Sequence, residues 1–150
     1  MLIYDSKNIF LADDDEDDRD FFQQGLKEVC DPCILTTAEN GEVLMNLLSR
    51  KVSGLPDIIF LDLNMPAKNG FECLEEIKKD QNLKNLPVII FSTTAQEGAI
   101  SQTYNLGANY YVVKPTDFKA LKKIITRVLT MDWNKNNAQP SKERFLLSVA

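Results

Sequence analysis

Five residues of this 150-residue chain pair reactive side chains with positions where a chain leaves the interior. Asp13 and Asp14 follow directly on the apolar run Ile9-Phe10-Leu11-Ala12, and Asp62 follows Ile58-Ile59-Phe60-Leu61. Ser92 ends Val88-Ile89-Ile90-Phe91, and Lys114 ends Tyr111-Val112-Val113. A carboxylate at the end of a buried run is costly to ionise unless a cation compensates it. Three such groups in one cleft would repel by about several kcal/mol per pair at an intermediate dielectric, which raises a pKa or recruits a divalent cation. With only oxygen ligands on offer and room for water, Mg²⁺ is the natural ion. Adding a hydroxyl and an ammonium completes what phosphoryl transfer to Asp62 would require: metal, nucleophile, hydrogen-bond donor and counter-charge.

The rest of the composition narrows the chemistry. The chain has no histidine, which excludes Ser-His and Cys-His catalysis, imidazole metal sites and a phosphohistidine carried by these residues. Its 17 basic and 22 acidic side chains leave a net charge of −5, which disfavours direct nucleic-acid binding. No apolar run approaches a membrane span, and the start Met1-Leu2-Ile3-Tyr4-Asp5 has no leader pattern, so the expected location is cytoplasmic, without membrane insertion. Cys30, Cys33 and Cys73 are an odd number, so a disulfide framework is not expected. Cys30-Asp31-Pro32-Cys33 has redox spacing but follows a helical pattern instead of opening one, and reads as two ordinary cysteines at a turn. Seven of the eight residues from Asp13 to Asp20 are acidic; Asp17, Asp18 and Asp20 read as a solvated helix start favoured by the macrodipole.

The elements that must position these groups are strands and helices in alternation. Strand-like segments span 8–12, 33–38, 57–63, 87–93 and 109–114. Runs that are continuously apolar, not alternating, are expected where helices cover both faces of a parallel sheet. Helical spacing joins Phe22, Leu26 and Val29; Val43, Leu44, Leu47 and Leu48; Leu74 and Ile77; and Phe118, Leu121, Ile125 and Val128. The fourth helix, about 96–105, has only Ile100 and Tyr104 and should be the most loosely held. Right-handed crossovers then imply a doubly wound, flavodoxin-like α/β fold with five parallel strands in the order 2-1-3-4-5. In that order the ends of strands one and three are neighbours, and Asp13, Asp14 and Asp62 converge. Residues 1–133 form the domain, and 134–150 read as a polar linker and short tail without an output domain, either tucked against the domain or docking a partner.

In this combination of motifs the chain resembles the receiver domains of two-component response regulators, of the single-domain chemotaxis type. The resemblance covers about residues 6–132 and rests on Asp13-Asp14, Asp62 with Met65-Pro66 and Gly70, Ser92, and Lys114-Pro115. It implies that Asp62 is the phosphoacceptor. It makes Asp14, Asp62 and the Asn64 backbone carbonyl direct ligands of Mg²⁺, Asp13 a ligand through water, and Lys114 the partner of a phosphate oxygen. By the same resemblance Ser92 and Tyr111 form the conformational switch, Asn64 and Thr94 tune hydrolysis, and Lys114-Pro115 is expected to be cis. The implied donor is a sensor histidine kinase or a histidine phosphotransfer protein, and the response passes to a downstream protein. The only catalysis implied is the chain's own phosphotransfer and autodephosphorylation, and the face of helix 4, strand 5 and helix 5 can support a dimer. Two other readings fit less well. A haloacid-dehalogenase-type phosphatase wants an acid where Asn64 stands, and an unphosphorylated pseudo-receiver would not keep the whole acidic set.

Overall fold

The computed structural model describes residues 6–50, 54–133 and 139–148. Residues 1–5, the 134–138 part of the polar linker and the last two tail positions lie outside the described residues. The chain alternates β1 (Asn8–Ala12), α1 (Glu16–Val29), β2 (Ile34–Ala38), α2 (Gly41–Ser49), β3 (Ile58–Leu61), α3 (Gly70–Lys79), β4 (Val88–Ser92), α4 (Glu97–Asn105), β5 (Tyr110–Val113) and α5 (Phe118–Leu129). A short α6 (Lys142–Phe145) and β6 (Leu146–Leu147) follow. The sheet is parallel throughout in the order β2-β1-β3-β4-β5-β6. The expected doubly wound fold is therefore present with six strands instead of five. The tail supplies the sixth, and two residues are too few to carry a strand signal.

Alternation along each central strand divides the interior into two layers. Ile9, Leu11, Ile58, Phe60, Ile89 and Phe91 face α1 and α5, where they meet Phe22, Leu26, Leu121 and Ile125. The rings of Phe22, Phe60 and Phe91 pack edge to face with centroids 4.9–6.0 Å apart. Phe10, Ala12, Ile59, Leu61 and Ile90 face the other way, toward Leu44, Leu48, Leu74 and Ile77 of α2 and α3. The central strands are thus covered on both faces, which explains their unbroken apolar composition. Of α1 to α5, α4 is held least: its one fully buried residue is Thr103, and its N-cap Gln96 makes no side-chain cap bond.

The α1 terminus departs from expectation. Cys30 and Cys33 form a disulfide, where two ordinary thiols had been expected. The Cys33 amide donates to the Cys30 carbonyl oxygen (3.1 Å), a tight turn that brings the two Cα atoms to 5.4 Å, within bridging range. Cys73 is a free, buried thiol, pushed up to about 12 by burial. No described peptide bond is cis, so Lys114-Pro115 is trans, contrary to expectation. The long lysine side chain reaches the strand ends from a trans junction.

Two features yield predictions. Gly70 opens α3 so close to the end of β3 that an added Cβ would lie 2.1 Å from the Asp62 carbonyl oxygen. Gly70→Ala should lower stability by about 2–3 kcal/mol in denaturant unfolding, because backbone cannot yield as a flexible side chain would. Lys78 is half-buried, with Nζ 2.8 Å from the Leu86 carbonyl oxygen and 3.2 Å from Asn109 Oδ1, and burial lowers its pKa to about 8. Between about 8 and the ordinary 10.5 the unfolded chain holds the extra proton, so this residue's penalty, complete below pH 8, fades as pH rises. Urea unfolding of wild type relative to Lys78→Met should show wild type gaining on the variant, on the order of 1–2 kcal/mol, across that window. A flat difference would contradict a buried ammonium.

Candidate functional site

The sheet register brings the acidic residues together. β1 and β3 are neighbours, with Ala12 opposite Leu61, and the Asp62 amide donates to the Ala12 carbonyl oxygen (2.9 Å). The Asp13 amide donates in turn to Ala38 at the end of β2 (2.9 Å). Both carboxylates therefore emerge side by side at the C-terminal lip, where a doubly wound sheet opens its crevice. Asp13 is fully buried and Asp62 nearly so, while Asp14 is exposed. One carboxylate oxygen from each of Asp13, Asp14 and Asp62 lies within 4.8 Å of the other two.

Lys114, at the end of β5, reaches across to this cluster. Its Nζ is 2.8 Å from Asp13 Oδ2, 2.8 Å from Asp18 Oδ2 and 3.1 Å from Asp62 Oδ2. The contacts to Asp18 and Asp62 have hydrogen-bond geometry. The approach to Asp13 does not, and Asp13 Oδ2 remains a buried oxygen whose close partner is only Coulombic. Burial is the largest influence on Asp13 and, with a smaller push from Asp62, raises it to about 6 despite Lys114 and the Asp15 amide. Burial pulls the Lys114 pKa down, but the carboxylates of Asp13, Asp18 and Asp62 outweigh it and the net direction is up.

One ammonium does not neutralise this set. Asp13 and Asp62 alone repel by about 3 kcal/mol or more at an effective dielectric constant of about 20. A hard divalent cation suits such donors: oxygen-only, partly buried, and with one buried oxygen left without a hydrogen bond. The residues present fit Mg²⁺ or an ion of similar preference.

The flanking groups are fixed by backbone. The Leu63 amide donates to Asp62 Oδ1 (2.7 Å), which orients the carboxylate. Asn64 is exposed just beyond it, and the turn passes through Ala67 in the left-handed region (φ 66°) before the Asn69–Glu72 capping box starts α3. Ser92 is buried at the end of β4 beside β5, and its Oγ accepts from the Thr94 amide (3.2 Å). Tyr111 is fully buried, and its hydroxyl donates to the Thr94 carbonyl oxygen (2.7 Å). Asp13, Asp14, Asp62 and Lys114 are thus brought together as expected, with Ser92 at the end of β4, Thr94 just beyond it and Tyr111 within β5.

Asp18 is the correction. Read as part of a solvated run, it instead pairs with Lys114 while Asp17 and Asp20 are exposed. Asp15 caps α1 by accepting from the Asp18 amide, and this first turn aims Asp18 back over the lip of the sheet. The available signal was Asp18's place three residues after a capping aspartate. A cavity of about 580 Å³ lies elsewhere, between Met45, Leu48, Leu55 and Leu83, and has no carboxylate cluster.

The response regulator Rcp1 of Synechocystis sp. (strain ATCC 27184 / PCC 6803 / Kazusa) is 33% identical over 123 residues, 79% of this chain and 84% of that protein. A probable methanogenesis regulatory protein, FilR2 of Methanothrix harundinacea (strain 6Ac), is 30% identical over 55% of this chain and 54% of its own length. The structure of the phosphorylated cyanobacterial phytochrome response regulator RcpA superposes with a TM-score of 0.75 at 34% identity, over 83% of this chain and 91% of that one. The Mn²⁺-bound form of Rcp1 superposes with a TM-score of 0.74 at 30% identity, over 90% and 99% respectively. No described helix is long and apolar enough to cross a membrane. Residues 9–126 match the response regulator receiver domain, and the chain belongs to that family.

Proposed function

We propose that this receiver domain accepts a phosphoryl group on Asp62, using Mg²⁺ held by Asp13, Asp14, Asp62 and the Asn64 backbone carbonyl. The observation that carries this reading is Asp62 at the end of β3, nearly buried, its Oδ2 facing Lys114 and its neighbour Asp13 under-compensated. The Mn²⁺-bound state of Rcp1 and the phosphorylated state of RcpA, both relatives, support the metal and the modification.

The donor is the phosphohistidine of a sensor kinase or phosphotransfer protein, since this chain has no histidine of its own. A carboxylate oxygen of Asp62 forms the new P–O bond as the P–N bond breaks, and the departing imidazole keeps the electron pair and takes up a proton. Leu63 holds the Asp62 carboxylate in place through its amide. Lys114, already among the carboxylates, offers its ammonium to a phosphoryl oxygen. Mg²⁺ held by Asp13, Asp14 and Asp62 would supply positive charge to offset that of the transferred group. The chain's catalysis is confined to its own transfer and the later hydrolysis, where Asn64 and Thr94 flank the approach of water.

The transferred group adds charge and acceptor oxygens, and Ser92 moves its hydroxyl toward it. A hydrogen bond of that kind, together with repacking at Tyr111, is on the order of 1–3 kcal/mol, enough to shift a two-state balance several-fold or more. The α4–β5–α5 face then differs in its affinity for a downstream protein.

Incubation with acetyl phosphate and Mg²⁺, followed by intact mass, tests the acceptor. Wild type should gain the mass of one phosphoryl group, with the gain abolished by a chelator and absent in Asp62→Asn. An equal gain in Asp62→Asn would remove Asp62 from the role.

A further inference from the structure

Residues 139–148 are seated on the α4–β5 face by contacts of several kinds. The Gln139 side-chain amide donates to the carbonyl oxygens of Tyr104 and Ala108, and the Tyr104 hydroxyl donates to that of Pro140 (2.9 Å). Leu146 and Leu147 extend the sheet beside Tyr111 and Val112, and Arg127 of α5 donates to the Ser148 carbonyl oxygen (2.9 Å). At the centre is Phe145, fully buried, its ring centroid 5.0 Å from Tyr104 and 6.1 Å from Tyr111.

These contacts fall on the part of the fold with least support of its own. α4 has a single fully buried residue and no side-chain cap, so Phe145 against Tyr104 supplies packing that the helix otherwise lacks. Tyr111 is enclosed with its hydroxyl on Thr94 and its ring against Phe145. The interior is close-packed, so Phe145 is among the neighbours that a rotation of the Tyr111 ring would displace. An edge strand lying on β5 also occupies backbone groups that an incoming strand would need.

We infer that residues 139–148 act as an intramolecular ligand of the α4–β5 face, with Phe145 holding Tyr111 inward, and that their docking and phosphorylation of Asp62 strengthen each other. The inference rests on the proposed switch role of Ser92 and Tyr111. Its logic is linkage: an inward Tyr111 is the partner that Phe145 binds, so whatever favours that rotamer tightens the segment, and loosening the segment frees the ring. The same segment competes with any protein that would use the β5 edge.

Two measurements on the full chain decide it. Amide hydrogen exchange of residues 143–148 should slow by about three-fold or more in protein whose intact mass shows the phosphoryl group, relative to unlabelled protein. Unchanged or faster exchange in labelled protein overturns the coupling while leaving Asp62 as acceptor; absence of the label speaks against the acceptor alone. Independently of phosphorylation, fluorotyrosine NMR, with the Tyr111 resonance assigned through Tyr111→Phe, should move toward the solvent-exposed position in Phe145→Ala. It should stay near its wild-type position in Phe145→Leu. A Tyr111 signal unmoved in a folded Phe145→Ala chain overturns the inference.

Discussion

The ammonium of Lys114 sits among more carboxylates than it can neutralise, and the other features of the site follow from that imbalance. Three carboxylate oxygens, from Asp13, Asp18 and Asp62, lie within about 3 Å of one nitrogen, and Asp14 adds a further charge at the rim. Lys114 partly offsets the repulsion, and the buried Oδ2 of Asp13 meets it as an ion pair without an aligned hydrogen bond. A pocket in this condition favours added positive charge.

The scaffold makes the imbalance sustainable. Asp13, Asp62 and Lys114 each stand at the end of an apolar strand paired on both sides, so repulsion cannot simply splay the strands apart. The helices are fastened unequally. α1 and α5 share an aromatic and aliphatic layer, whereas α4 relies on partial burial and on Phe145 from the tail. Under the proposed function, rigid strand ends beside a lightly held helix let a small change at Asp62 alter a distant face.

Much of this was legible in the residues. Asp62 and Lys114 each break an apolar run, and a charge that ends a buried strand has few structural explanations, so both could be read along with the parallel sheet. Asp18 could not be singled out, because within an acidic run each carboxylate has the same composition signal and only the Asp15 cap decides which one turns inward. The sixth strand is two residues long and depends on Phe145 finding a tertiary pocket, which periodicity does not report. The Cys30–Cys33 bridge likewise depends on how the chain turns after α1. In each case the missing information was the direction of a side chain or turn, not the chemistry of a residue.

Thermal unfolding of the full chain at neutral pH, with Mg²⁺ titrated at constant ionic strength, addresses the charge imbalance most directly. Under this account the midpoint rises saturably with Mg²⁺ in wild type, as binding to the folded state requires, and the rise is lost in Asp13→Asn. A midpoint that responds to Mg²⁺ no more than to the same ionic strength of sodium chloride would contradict it.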